Sequence, residues 1–193
     1  MQPEHRQSLL VWLNRWGCRN FKVACHNEAS DEILQWYKQF SNDLPSAQTH
    51  SWETAQYADV IQEGFDSLRC KTAATLADRI NLIGPTGAAK ILFAICPRAL
   101  PPWDTAIRDR LGHGESGDSY WRFVQSVTRE LSELREDCNR HGIELSNLAH
   151  VLGRADTITL PKLVDEFYWV TITRNAKLPD AALVQQWLTW GVD

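Results

Sequence analysis

Asp104 stands behind a stiff approach, in the run Leu100-Pro-Pro-Trp-Asp104-Thr-Ala-Ile107. A carboxylate held in this way can stabilise positive charge building on a reacting carbon, and can orient or deprotonate a water. It also directly precedes a helix-forming stretch, where Asp is a favoured N-cap, so capping alone is a second account of it. Twenty residues upstream, two glycines punctuate the run Leu82-Ile83-Gly84-Pro85-Thr86-Gly87. Gly84 and Gly87 permit backbone angles closed to other residues and let a phosphate come close, while N–H groups of Thr86, Gly87 and Ala88 at a following helix start point their positive end toward it. Such a turn grips a nucleic-acid backbone without reading its sequence. Lys90, Arg108 and Arg110 lie near enough in the chain to join it as phosphate contacts, or are ordinary solvated charges.

Helices must position these groups. Leu9, Trp12, Leu13 and Trp16 recur at helical spacing, as do Ile33, Trp36, Tyr37 and Phe40. A third helix is expected after His50-Ser51, with Ala58, Ile61, Phe65 and Leu68 inward, and a longer one carries Tyr120, Phe123, Val124, Val127, Leu131 and Leu134 behind a Gly-rich turn at 112–117. The central segment reads as helix over 72–81, hairpin over 82–87 and a second helix over 88–96. Further helices are expected near 145–152, 160–172 and 180–190, with Pro161 tolerated in a first turn. The β-branched run at 170–173 finds no second strand to pair with and is taken as helical.

With 193 residues, 44% of them apolar, the chain can bury a substantial core. Five scattered cysteines argue against a disulfide framework and for a reducing, cytoplasmic setting. No basic-then-apolar leader opens the chain, and the longest apolar run, at 91–96, is too short to span a bilayer, so a membrane partner is not expected. The net charge of −4 is unusual for a nucleic-acid binder, but residues 69–110 hold seven basic and three acidic side chains, leaving −8 elsewhere. Cys18, Cys25 and His26 lack a nearby fourth ligand and read as packing and surface, so no metal site is expected.

The stretch 71–110 resembles the helix-hairpin-helix DNA glycosylases, the superfamily that includes adenine and 8-oxoguanine glycosylases. Its hairpin, roughly Leu-Pro-Gly-Val-Gly, is matched at 82–87 with one extra residue. Its second motif, Val-Pro-Val-Asp-Thr-His-Val followed by Arg and Leu-Gly, is matched at 100–112, its aspartate falling on Asp104 and its histidine replaced by Ala106. The resemblance implies an all-α, two-lobed helical bundle forming one glycosylase-like unit over 1–193. Residues 1–50 and 143–193 would form the first helical lobe, and 51–142 the helix-hairpin-helix lobe.

It further implies a monomer acting on double-stranded DNA, flipping out a damaged or modified base and hydrolysing its N-glycosidic bond beneath Asp104. Bifunctional relatives place a Schiff-base lysine where Ala89 stands, and Lys90 lies about 100° further round a helix. A monofunctional enzyme leaving an abasic site is therefore expected, with Lys90 on a phosphate unless the longer hairpin turns it into the catalytic site. Trp103, next to Asp104, is the first candidate for the base pocket, with Trp36 and Tyr37 among the others. No cofactor is expected apart from a monovalent cation at the hairpin carbonyls, and no iron-sulfur cluster, since no cysteine follows Cys138. The small size and acidic remainder resemble a specialised bacterial branch that removes hypermodified phage bases such as glucosylated hydroxymethylcytosine, an antiviral defence. Two rivals stay open: a hairpin protein that binds DNA without catalysis, and a helical interaction module.

Overall fold

The helices α1 (Pro3–Arg15) and α2 (His26–Phe40) pack side by side and bury Leu10 and Leu13 against Ala29, Ile33, Trp36 and Phe40 in this computed structural model, which describes residues 1–180 and 182. The fold is mostly helical, with one two-stranded sheet among the described residues. The third helix starts later than expected. After His50, whose N–H donates to the Glu53 carboxylate at 2.8 Å, the chain makes two 3-10 turns, Ser51–Glu53 and Ala55–Tyr57. Only then does α3 (Ala58–Arg69) begin, turning Ile61, Phe65 and Leu68 inward.

Residues 72–81 are not a helix, and this corrects the sequence expectation. They form β1 (Thr72–Thr75) and β2 (Ile80–Leu82), paired antiparallel with a bulge between Thr72 and Ala74. The β-branched Thr72, Thr75 and Ile80 favour the pleat, and tertiary contact decides the matter. Ala73 and Ala74 are fully buried, while Thr75 N–H donates at 2.8 Å to Glu28 of α2. Small side chains that suit a helix here serve a close approach to a neighbour. The turn at Gly84 therefore joins a strand, not a helix, to α4 (Gly84–Ile95). Gly84 takes φ +72°, which explains the glycine, and α4 starts at that residue, four earlier than expected.

Behind Asp104, Trp103 is fully buried, edge-on to Phe65 and Tyr120 and beside Phe123. Its indole N–H donates to the Pro85 carbonyl at 3.2 Å, and the Tyr120 hydroxyl donates to the Pro101 carbonyl at 3.0 Å. These two bonds pin both ends of the Pro-Pro-Trp segment to the core. The short helix α5 (Thr105–Arg110) follows, then α6 (Gly117–Arg140), capped by the Ser116 hydroxyl accepting from Ser119 N–H. A Cβ on Gly117 would stand 2.1 Å from the Gln62 carbonyl of α3, so glycine lets α6 close onto that helix.

A 3-10 turn (Leu145–Asn147) and α7 (Leu148–Val151) occupy the first of the C-terminal segments expected as helical. Then α8 (Leu160–Tyr168) runs into a π-helical turn (Trp169–Thr173), so the β-branched run stays helical with a widened turn. The helix expected at 180–190 falls almost wholly outside the described residues. One continuous apolar cluster runs from Leu10 to Tyr168. Among the described residues, no helix is long and apolar enough to cross a membrane.

Candidate active site

A cleft of about 800 Å³ lies between the start of α5 on one side and α8 with its π-helical turn on the other. Asp104 lines it from a half-buried position. One oxygen, Oδ1, accepts from Ile107 N–H at 2.9 Å and caps α5; the other, Oδ2, accepts from the Thr173 hydroxyl at 3.3 Å. The capping account of Asp104 thus holds, and its second oxygen meets only a hydroxyl.

Lys90 lines the same cleft. Rather than reaching outward to a phosphate, it is buried, with Nζ donating to the Trp16 carbonyl at 2.6 Å and lying 4.6 Å from the Trp16 ring centre. α4 is buried on every side over residues 87–93, and Lys90 lies within that stretch. Lys162 of α8 lies at the same 4.6 Å from that ring centre, so two ammonium groups contact one indole.

The sequence reading missed the second carboxylate. Asp165 is buried in the cleft wall, where Oδ2 accepts from Lys162 Nζ at 2.5 Å. Burial pushes its carboxyl above the ordinary carboxylate range; Lys162 and Lys90 pull it back, and the Asp104 charge adds to the upward push. A signal for it was present. Pro161, Val164 and Tyr168 form the buried stripe of α8, and Asp165 sits within that stripe where an apolar residue would be expected. Glu166, paired with Arg154 at 2.8 Å, completes a lining of three acidic and three basic side chains. Trp169 and Val170, both exposed, and half-buried Thr86 supply the rest of its rim.

Several predicted site residues lie elsewhere. Trp103 and Trp36 have no exposed surface and cannot form a base pocket; Trp36 donates to the Gly64 carbonyl at 2.8 Å in the core. Tyr37 is half-buried against that core and does not line the cleft. Gly87 and Ala88 face inward, and a Cβ on Gly87 would meet Ile83 at 2.8 Å, so that glycine serves packing. Arg108 is 8% exposed and held by Asp109 at 3.0 Å and Glu115 at 3.2 Å, leaving it no phosphate to meet. Arg110 is exposed, and Gly84 and Thr86 stay half-buried at the start of α4.

Two of the hairpin carbonyls already have side-chain partners. Leu82 O accepts from Asn20 at 2.9 Å and Pro85 O from Trp103, and from Gly84 onward the carbonyls point along α4 into its own ladder. The His26 ring nitrogens contact Asn14 at 3.1 Å and Gln7 at 3.4 Å. Among the described residues, no group of three or more His, Cys, Asp or Glu could hold a metal ion. No family model, no curated protein and no solved structure matches the chain.

Proposed function

We propose that this protein is a DNA glycosylase of the helix-hairpin-helix kind that hydrolyses the N-glycosidic bond of a modified base and leaves an abasic site. One observation carries the reading: Asp104, the aspartate of the Pro-Pro-Trp-Asp-Thr motif, opens into a large cleft with a second, buried carboxylate and exposed aromatic surface. Support comes from this second motif more than from the hairpin, whose leading element is a strand.

Breaking the bond leaves positive charge on the sugar, which the Asp104 carboxylate stabilises while orienting a water. That water supplies hydroxide to the anomeric carbon and, in sum, a proton to the departing base. Asp165, its carboxyl raised by burial, is suited to hold the proton that the base takes. Lys162, set on the Trp16 ring, provides positive charge for a phosphate flanking an extruded nucleotide, whereas Lys90 is committed to the Trp16 carbonyl. The Lys90 ammonium already donates to a carbonyl, which favours hydrolysis over Schiff-base chemistry. Trp169 at the rim offers the stacking surface first sought in Trp103. A cleft of about 800 Å³ lies in the upper part of the range of roughly 300–1,000 Å³ for ligand pockets, leaving room for a base with a bulky substituent.

Base release from glucosylated phage DNA and from lesion-bearing oligonucleotides tests the reading. Wild type should form abasic sites on at least one substrate, and Asp104→Asn should lose about 10²–10³-fold in rate. Binding to DNA with no base release from any of them would return the protein to a non-catalytic role.

A further inference from the structure

Among the described residues, two buried side-chain polar atoms lack a hydrogen-bond partner: Nη2 of Arg135 and Oγ1 of Thr159. They belong to different segments, α6 and the residue before α8, yet both residues line one cavity of about 670 Å³. Leaving such an atom unmet is costly. Two of them in the wall of one cavity point to a shared partner.

The chemistry of that partner follows from the donors. Among the described residues the Arg135 guanidinium makes no ion pair; its carbon lies 4.3 Å from the Trp52 ring centre, and His50 stacks on the same indole at 4.5 Å, with ring planes 6° apart. An arginine set over an aromatic face by its central carbon can still offer N–H groups to an oxyanion. Arg98, exposed on the loop after α4, lines the cavity and has no carboxylate partner among the described residues. Thr159 occupies the N-cap position of α8 but makes no side-chain cap bond, so its hydroxyl remains a donor. Two acidic residues also line the space, but neither meets an arginine: Asp156 contacts His150 at 3.3 Å and Glu144 accepts from Ser146 at 3.4 Å.

We propose that this cavity is a second binding site, separate from the Asp104 cleft, for a phosphate-bearing ligand of nucleotide size. Arg135, Thr159 and Arg98 take the phosphate oxygens. The volume exceeds what a free phosphate fills and suits a nucleoside attached to it. The phosphate can be that of a free nucleotide or of a DNA end, and the chemistry of recognition is the same.

Calorimetric titration of the full chain with inorganic phosphate, a deoxynucleoside 5′-monophosphate and the uncharged nucleoside tests this. The monophosphate should bind saturably and the nucleoside should not. Arg135→Met and Thr159→Val should each weaken binding about tenfold, as expected for one lost hydrogen bond to a charged group. Arg98→Gln, an exposed change that leaves the core untouched, should weaken it as well and guards against misfolding of the other two. Competition by a 5′-phosphorylated duplex would assign the phosphate to DNA, and its failure to compete would assign it to a free nucleotide. No saturable binding of phosphate or monophosphate, equal binding of the uncharged nucleoside, or affinity unchanged in all three variants would overturn the proposal. Base release plays no part in this readout, so it stands or falls apart from the glycosylase reading.

Discussion

The two walls of the Asp104 cleft are built differently. The wall carrying Asp104 is bolted to the core, with Trp103 sealed among Phe65, Tyr120 and Phe123 and bonded to the Pro85 carbonyl. The opposite wall is thin: α8 buries only Pro161, Val164, Asp165 and Tyr168, while Phe167, Trp169 and Val170 stay exposed. On the glycosylase reading, the carboxylate that must be in place before substrate arrives sits on the stiff side. The aromatic surface that would adapt to the base sits on the side with less to hold it still.

Trp103→Ala against Trp169→Ala is the sharpest way to break this comparison. The first should cost about 3–5 kcal/mol in denaturant unfolding. The second should stay within about 1 kcal/mol of wild type, since Trp169 is 42% exposed, yet weaken binding of modified DNA. Equal destabilisation would mean that both walls belong to the core.

Asp165→Asn probes the thin wall next. Base release should fall about hundredfold if Asp165 holds the proton for the departing base. Stability carries its own sign. The carboxyl of Asp165 is raised in the folded protein, so its contribution is full below the ordinary value of 3.8 and is lost as pH rises through the raised folded value. Wild type should therefore lose stability relative to Asp165→Asn across that rise, which unfolding curves on either side of the window would show.

The smallest effect belongs to the stiff wall. Burial, and then Arg122, lowers the basicity of His113, which packs beside the rings of Trp103 and Phe123. The unfolded chain binds this proton more readily, so stability is lost as pH falls below 6.5 toward the lower folded value. His113→Phe should flatten that slope by less than about 1 kcal/mol, measured by thermal melting at both pH limits.

The stiff wall was the legible one. Apolar periodicity marked α1, α2, α3 and α6, and the motif behind Asp104 pointed to a carboxylate that lines a cleft. The strand pair was not legible, because Ala73 and Ala74 favour a helix locally and are claimed by packing beside α2, with Glu28 of that helix bonded to Thr75. Trp103 was misread because adjacency in sequence was taken for adjacency to the substrate, whereas an extended backbone turns successive side chains to opposite sides. Lys162, Asp165 and Trp16 come from opposite ends of the chain, and only tertiary folding shows that they meet.

Asp104 divides labour between its two oxygens. One is committed to the backbone of Ile107 and holds the first turn of α5, while the other meets only a hydroxyl at longer range. On the glycosylase reading, architecture and reactivity fall to separate lone pairs of a single group. Asparagine retains an acceptor for the first task and lacks the negative charge for the second, so a lineage could discard the chemistry here without surrendering the scaffold.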